Sequence, residues 1–385
     1  MYTKEQVNDL YERIVKTIDI TEELFETAEK EYLDMGNWID KQTPEYSVSI
    51  YPQGSFALGT VVKPFDDRDD YDLDLVCEFE QQYSLSAEDL KCGVVKPLLE
   101  RYKKIKGEIE NKRRCWHVEY EDIPNFHMDI VPAINRGSYI EITDHDEGSD
   151  TYGYVGNNPN AYVEWFNEKK AECRRVLYEN YREERRALKC SADIEEIKEY
   201  HLKTPLQKAI QLLKRHRDIM FIGDTKKRKP ISIIITTIAA ELYQNEDNIF
   251  DTLVNILKNA ESYIKQNMIG TEYRINNPVY TGLKRENFAE KWNEHPERAE
   301  AFFQWLKRAQ DDLVSERIFN LFRPQMADNL SRALGGKTIR QVFDKMADED
   351  REAIESQTAK LSATTGIISY TGTIPVKRNH NHGEV

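Results

Sequence analysis

Three acidic side chains, a glycine–serine turn and a helical lysine carry the chemistry legible in this chain. The stretch QGSFALGTVVKPFDDRDDYDLDLVCEF, residues 53–79, puts Gly54-Ser55 at the start of a short helix; Asp72 follows 17 residues after Ser55, then Asp74. Positions two apart on a strand face the same way, so these carboxylates emerge together while Leu73 and Leu75 enter a core. Two like charges held so close are costly unless a cation neutralises them. Mg²⁺ suits such a pair, because it takes few carboxylates and completes its shell with water and phosphate oxygens. Glycine lets the backbone approach an anion, and N–H groups at a helix N-terminus bind one; Gly54 and Ser55 are therefore candidates for a phosphate cradle. Asp129, between Met128 and Ile130 in FHMDIVPAI, is the third acid. A lone carboxylate in an apolar strand is expensive unless something pairs with it.

Each residue also has a plainer reading. Gly-Ser is an ordinary capped turn, Asp129 a salt-bridged core residue, and Asp66, Asp67, Asp69 and Asp70 a solvated acidic loop. A calcium loop fits poorly, since Leu75 stands where the sharp turn needs Gly and Gln81 where a bidentate Glu is required. Taken together, the three carboxylates fit two-metal transfer of a nucleotide. One ion activates a ribose hydroxyl and the other stabilises the pyrophosphate, with the ions about 4 Å apart. Asp129 would hold the first ion and help take the hydroxyl proton. Lys214 in QLLKRHRD and Ser232 near the start of the next helix are placed to reach terminal phosphates, although Lys214 also fits a solvated face. His117 and His127 read as structural histidines rather than ligands, and the Tyr and Trp residues at 152–165 as core.

These residues need elements to hold them. Val7, Leu10, Ile14, Ile18 and Ile20 predict one long amphipathic helix over residues 3–35. Residues 46–51, 72–79, 115–120 and 126–131 read as strands, and 86–102 as a helix, giving a mixed sheet covered on one side. After residue 158 the pattern becomes helical: a helix begins at Pro159, Thr204-Pro205 caps one that runs to Met220, and ISIIITTIAAELY after Pro230 is apolar nearly all round. Segments 247–266, 286–314 and 337–358 complete the helical part. The class is α+β. The expected division is a catalytic lobe at 1–158 that includes the long N-terminal helix, a helical lobe at 159–370, and a polar mobile tail at 371–385 suited by composition to an operon-encoded partner.

Composition narrows the function. The chain has 385 residues, a net charge of −14, 32% charged and 39% hydrophobic residues. An acidic body argues against an obligatory double-stranded DNA surface, which needs clustered Lys and Arg; Lys203–Lys229 is one local basic candidate. No run of about 18 apolar residues predicts a membrane span, and the charged N-terminus lacks a secretory h-region, so a cytoplasmic protein is expected. Cys77, Cys92, Cys115, Cys173 and Cys190 form no CxxC pair and are expected as reduced thiols.

The order of GS, a DxD in apolar context and a later Asp resembles the polymerase β-type nucleotidyltransferase superfamily. The flanking QGSFALGT, DYDLDLVCEF, MDIVPA, NNPNAYVEWF, PLQKAIQLLKRHRD, PISIIITTIA and NNPVYTGLKRENFAEKW are similar to bacterial CD-NTases. These cGAS/DncV-like enzymes make cyclic oligonucleotide signals in anti-phage (CBASS) operons. The resemblance spans roughly residues 40–300 and implies a two-lobed polymerase β-like enzyme with substrates between the lobes. It implies that Gly54 and Ser55 form the phosphate-binding turn. Asp72, Asp74 and Asp129 would be the ligands of two Mg²⁺ (or Mn²⁺) ions, and Lys214 and Ser232 would grip the donor triphosphate. ATP and other NTPs would be joined into a cyclic di- or trinucleotide that activates a separate effector. No zinc-binding insertion like that of the animal DNA sensor is present. The competing readings are a nucleotidyltransferase that modifies RNA or protein, and a catalytically silent nucleotide-binding protein.

Overall fold

The computed structural model describes residues 2–65, 71–80, 84–120, 126–187, 202–280, 286–356, 358, 360–361, 368–369 and 374–375. The chain opens with α1 (Lys4–Ile18), whose N-cap Thr3 and Gln6 exchange side-chain and backbone bonds, closing two orphan donors. The single helix expected over 3–35 is instead two. Asp19 turns extended, and Thr21 caps α2 (Glu22–Gln42) by accepting from Leu24 N, with Glu22 and Glu23 in the first turn. Lys203 and Gln211 both bond Asp19 Oδ1, so the break is fixed from a distant part of the chain. The two helices serve different cores. Val7, Leu10, Tyr11 and Ile14 of α1 pack in one core with residues of the later helices. Ala28, Met35 and Ile39 of α2 cover the sheet.

The chain continues through β1 (Val48–Pro52), α3 (Gly54–Ala57), β2 (Tyr71–Phe79), a π-helical turn at Asp89–Val95 that runs into α4 (Lys96–Arg101), β3 (Ile105–Asn111), β4 (Trp116–Tyr120), β5 (Phe126–Asn135), β6 (Ile140–Asp146) and β7 (Thr151–Asn157). Among the described residues these strands form a mixed sheet of order β1-β2-β5-β4-β3, with β6 on β5 and β7 on β6. β2 and β5 run parallel, and the other pairs are antiparallel. β5 is the spine: β2 flanks one edge, while the other edge is shared by β4 at His127–Ile130 and β6 at Ala133–Asn135. Alternation sends Leu73, Leu75, Met128 and Ile130 into the core under α2 and α4. The opposite face carries Asp74 and Asp129 and continues as apolar Val76, Val131 and Ala133.

The helical part comprises α5 (Pro159–Ala187), α6 (Pro205–Met220), α7 (Ser232–Leu242), α8 (Ile249–Gln266), α9 (Glu290–Glu294), α10 (Pro296–Leu313), α11 (Arg323–Leu334) and α12 (Gly336–Glu355). α7 is buried without interruption from Ile234 to Ala240, as its all-round apolarity predicts. Short strands β8 (Lys360–Leu361), β9 (Ile368–Ser369) and β10 (Ile374–Pro375) pair with one another. The acidic loop residues Asp66, Asp67, Asp69 and Asp70, Cys190, and the tail 371–385 apart from Ile374–Pro375 lie outside the described residues. Cys77, Cys92, Cys115 and Cys173 are free thiols. No helix of the described residues is long and apolar enough to cross a membrane.

Candidate active site

Strand register assembles the acidic site. The parallel pairing of β2 with β5 sets Asp74 directly beside Asp129, and Asp72 beside His127. Two carboxylates separated by 55 residues in sequence thus become neighbours on one face. Asp74 and Asp129 are both partly exposed, which spares them full desolvation. On the other side of β5, His117 of β4 pairs with Asp129, and its Nδ1 lies 2.8 Å from Asp129 Oδ1. The Cys115 thiol also faces this carboxylate; burial, then Asp129, pushes its pKa up. Carboxylate oxygens aligned across two strands are the donor chemistry a hard divalent cation takes.

The glycine–serine turn closes over these acids. Gln53 N donates to Asp74 O at 2.8 Å, tying the end of β1 to β2. Gly54 then opens α3 with φ +60°, and a Cβ at this position would collide with Asp74 Oδ2. Only glycine tolerates both the left-handed backbone and the contact. Gly54, Ser55, Asp74, Lys214 and Ser232 all line one cavity of about 340 Å³. The structure therefore brings together five of the residues singled out in the sequence, from both parts of the chain.

The segment after the turn is gripped by α6. Gln207 Nε2 donates to Leu58 O at 2.9 Å, Gln211 Nε2 to Val61 O at 2.6 Å, Lys214 Nζ to Thr60 O at 2.9 Å and Arg215 Nη2 to Lys63 O at 2.5 Å. These four positions make one stripe at helical spacing, all buried. Lys214 is thus no solvated-face lysine; its ammonium reaches the backbone that follows the glycine–serine turn, and the residue lines the cavity. The Ser232 hydroxyl accepts from Arg217 Nη1 at 2.8 Å. Much of the basic segment Lys203–Lys229 is consumed in such packing, including Lys203 with Asp19 and Lys208 with Glu12.

A larger cavity of about 740 Å³ shares Gly54 and Asp74 with the smaller one and extends to Arg113, Arg114, Asn277, Glu286 and Lys291. Its two arginines come from the β3–β4 turn, where Asp144 holds Arg113 at 2.7 Å and Arg114 at 3.1 Å; Lys291 comes from α9. Burial works against the Asp144 charge, but the two arginines outweigh it and keep the carboxyl below its usual range. Glu286 is placed by Asn277, whose N donates to Glu286 O at 2.8 Å and whose Nδ2 donates to Glu286 Oε2 at 3.1 Å. Burial raises the Glu286 carboxyl above its usual range, against Asn277 and Arg114. Sequence reasoning did not single out Glu286, and it read His117 as a structural histidine, which its bond to Asp129 fits. Glu286 stands next to Asn287 within NNPVYTGLKRENFAEKW, the one signal that marked it. His117 was findable only through the register of β4.

Residues 48–132 match the family described as Cyclic GMP-AMP synthase DncV-like, nucleotidyltransferase domain. The chain is 28% identical over 320 residues to a c-di-GMP synthase of Roseivirga ehrenbergii, covering 80% of this chain and 79% of that protein. It is 30% identical over 192 residues to the cyclic dinucleotide synthase CdnG of Bradyrhizobium diazoefficiens, covering 47% of this chain and 45% of that one. Among solved structures, CdnG of Bradyrhizobium diazoefficiens in complex with GTP superposes with a TM-score of 0.70 at 20% identity, covering 89% of this chain and 98% of that one. DncV of Vibrio cholerae with the linear intermediate pppA(3′,5′)pG gives 0.51 at 12% identity, covering 86% and 87%. The fold is that of the CD-NTases, a polymerase β-like sheet part with a helical C-terminal region.

Proposed function

We propose that this chain, which carries a DncV-like nucleotidyltransferase domain, is a cyclic oligonucleotide synthase that joins NTPs with release of pyrophosphate and closes the product into a ring. The observation that carries this reading is that Gly54, Ser55, Asp74, Lys214 and Ser232 line one cavity, with Gly54 against Asp74 and Asp129 beside Asp74 by strand register. In this reading Asp72, Asp74 and Asp129 hold two divalent ions, Mg²⁺ or Mn²⁺. When bound, these ions supply activation of the attacking hydroxyl and neutralisation of the leaving pyrophosphate. Gly54 and Ser55 offer backbone N–H groups to the triphosphate, and Lys214 and Ser232 bind its terminal part from the helical side. The lobes divide near residue 158, with α1 assigned to the helical side.

The base is proposed to be guanine. The nearest support by name is the c-di-GMP synthase relative, and the chemistry of Glu286 agrees. Its two carboxylate oxygens can accept from guanine N1–H and the 2-amino group together, whereas adenine turns an N1 lone pair toward them. The expected setting is the cytoplasm, where NTPs are abundant. The cyclic product would act on a separate effector in anti-phage defence, with regulation through a protein encoded beside it.

Purified protein with all four NTPs and Mg²⁺ should yield pyrophosphate and a phosphatase-resistant product, identified by mass spectrometry. Asp74→Asn with Asp129→Asn should lower the yield about 100-fold or more without loss of the folded state. An unchanged yield from that double variant would remove the assigned chemistry, and label appearing on RNA or protein instead would transfer it to another acceptor.

A further inference from the structure

Two imidazoles stand beside the carboxylates and have no part in the transfer chemistry described above. β5 is paired on both sides at this level, so the rows across the sheet read Asp74, Asp129, His117 and, one pleat away, Asp72, His127, Glu119. His117 Nδ1 is 2.8 Å from Asp129 Oδ1. The His117 and His127 rings lie 4.3 Å apart between centroids. One nitrogen from each ring and one Asp129 oxygen fall within 4.8 Å of one another. Their side chains are neither sealed nor loose: those of His117 and Asp129 are 21% and 22% exposed, open to a solute yet fixed by a sheet. Mg²⁺ prefers oxygen ligands and gains little from imidazole, whereas Zn²⁺ and the later first-row divalent ions favour it.

We propose that His117, His127 and Asp129 form a binding site for a divalent transition-metal ion of the zinc class, overlapping the all-oxygen ion set at Asp129. Two nitrogens and one carboxylate are a common three-ligand zinc set, with a fourth position left to water. Because Asp129 is shared, occupation by such an ion withdraws that carboxylate from the ions of nucleotidyl transfer. Binding itself does not depend on the function proposed above; only its inhibitory consequence does.

The test uses chelator-treated full-length chain in saturating Mg²⁺, titrated with Co²⁺ as a spectroscopic stand-in and then with Zn²⁺. The expected result is one equivalent of Co²⁺ with the intense visible bands of a four- or five-coordinate, nitrogen-bound ion, bleached by Zn²⁺. His127→Gln and His117→Gln should each lose those bands and bind Zn²⁺ roughly 10- to 100-fold more weakly. In the same preparations, Zn²⁺ should suppress pyrophosphate release by the unaltered chain and lose much of that effect on His127→Gln. Only the weak bands of oxygen-bound octahedral Co²⁺ in the unaltered chain, or Zn²⁺ affinity in both variants equal to that of the unaltered chain, would overturn the site. Intense bands without any nucleotidyl transfer would keep the site and remove the function.

Discussion

At Gly54 a single missing side chain decides whether the turn can close on the Asp74 carboxylate. The backbone there has φ +60°, and Asp74 fills the space a Cβ would need. Gly54→Ala should therefore cost about 1–2 kcal/mol of stability and more than that in function, seen as a large fall in pyrophosphate release with only a modest drop in melting temperature. Glu286 gives a second prediction at this scale. Its carboxyl is raised chiefly by burial, so it takes up a proton at a higher pH than an exposed Glu. Discrimination for GTP over ATP should fall as pH is lowered through that raised value, because the protonated acid loses an acceptor. Glu286→Gln should show a weaker preference, by about 10- to 100-fold, that no longer varies with pH over this range. Competition binding of GTP, ATP and ITP across pH measures both.

α6 works as an element through its polar stripe rather than its apolar one. Gln207, Gln211, Lys214 and Arg215 deliver donors to the carbonyls of Leu58, Val61, Thr60 and Lys63 respectively. A loop gripped in this way presents Gly54-Ser55 at a fixed distance from the helical side, which is how a residue on a helix and a turn beyond a strand come to share one cavity. Gln211 also bonds Asp19 Oδ1 at 2.8 Å, so it joins the break between α1 and α2 to the same loop. Gln211→Leu keeps the bulk and leaves Val61 O without this donor in a buried place. It should destabilise the chain by about 1–3 kcal/mol, read by urea unfolding, and loosen NTP binding through the turn. Arg215, buried and with its pKa lowered chiefly by desolvation, shows what the stripe costs: charge is held inside because backbone carbonyls receive it.

Across the whole molecule, one buried acid ties the helical elements together. Asp312 of α10 has a side chain 4% exposed and bonds Arg308 at 2.7 Å and His216 of α6 at 3.3 Å. Asn329 of α11 donates to Asp312 O at 2.9 Å, and Tyr11 of α1 to the next carbonyl, Leu313 O, at 2.5 Å. Burial opposes the Asp312 charge, but its bonds to His216 and Arg308 outweigh that and hold the carboxyl below the usual range. A depressed acid stabilises the fold above its ordinary pKa, and that share is lost as pH falls through the lowered value. Asp312→Asn should cost about 3 kcal/mol at neutral pH and flatten the acid limb of a stability–pH curve. An unchanged acid limb would assign that limb to other carboxylates.

The sequence by itself determined the kinds of element and the residues fit for chemistry. Alternation in YDLDLVCEF made β2 legible and marked its acids, FHMDIV marked Asp129, and Thr204-Pro205 marked the start of α6, because such signals are local and periodic. β3, β6 and β7 were not legible: IKGEIEN and IEITDHD are interrupted by acids and TYGYVGN by glycines, and their pairing to neighbours supplies what propensity lacks. Residues 3–35 read as one helix because amphipathic spacing runs on past Ile18, while the break at Asp19 is held by Lys203 and Gln211, some 190 positions away. Tertiary structure alone decided which acids face each other. A shift of one residue between β2 and β5 would send Asp129 to the opposite face, and the register that prevents this is written in the burial of Leu73, Leu75, Met128 and Ile130 on the far side of the sheet.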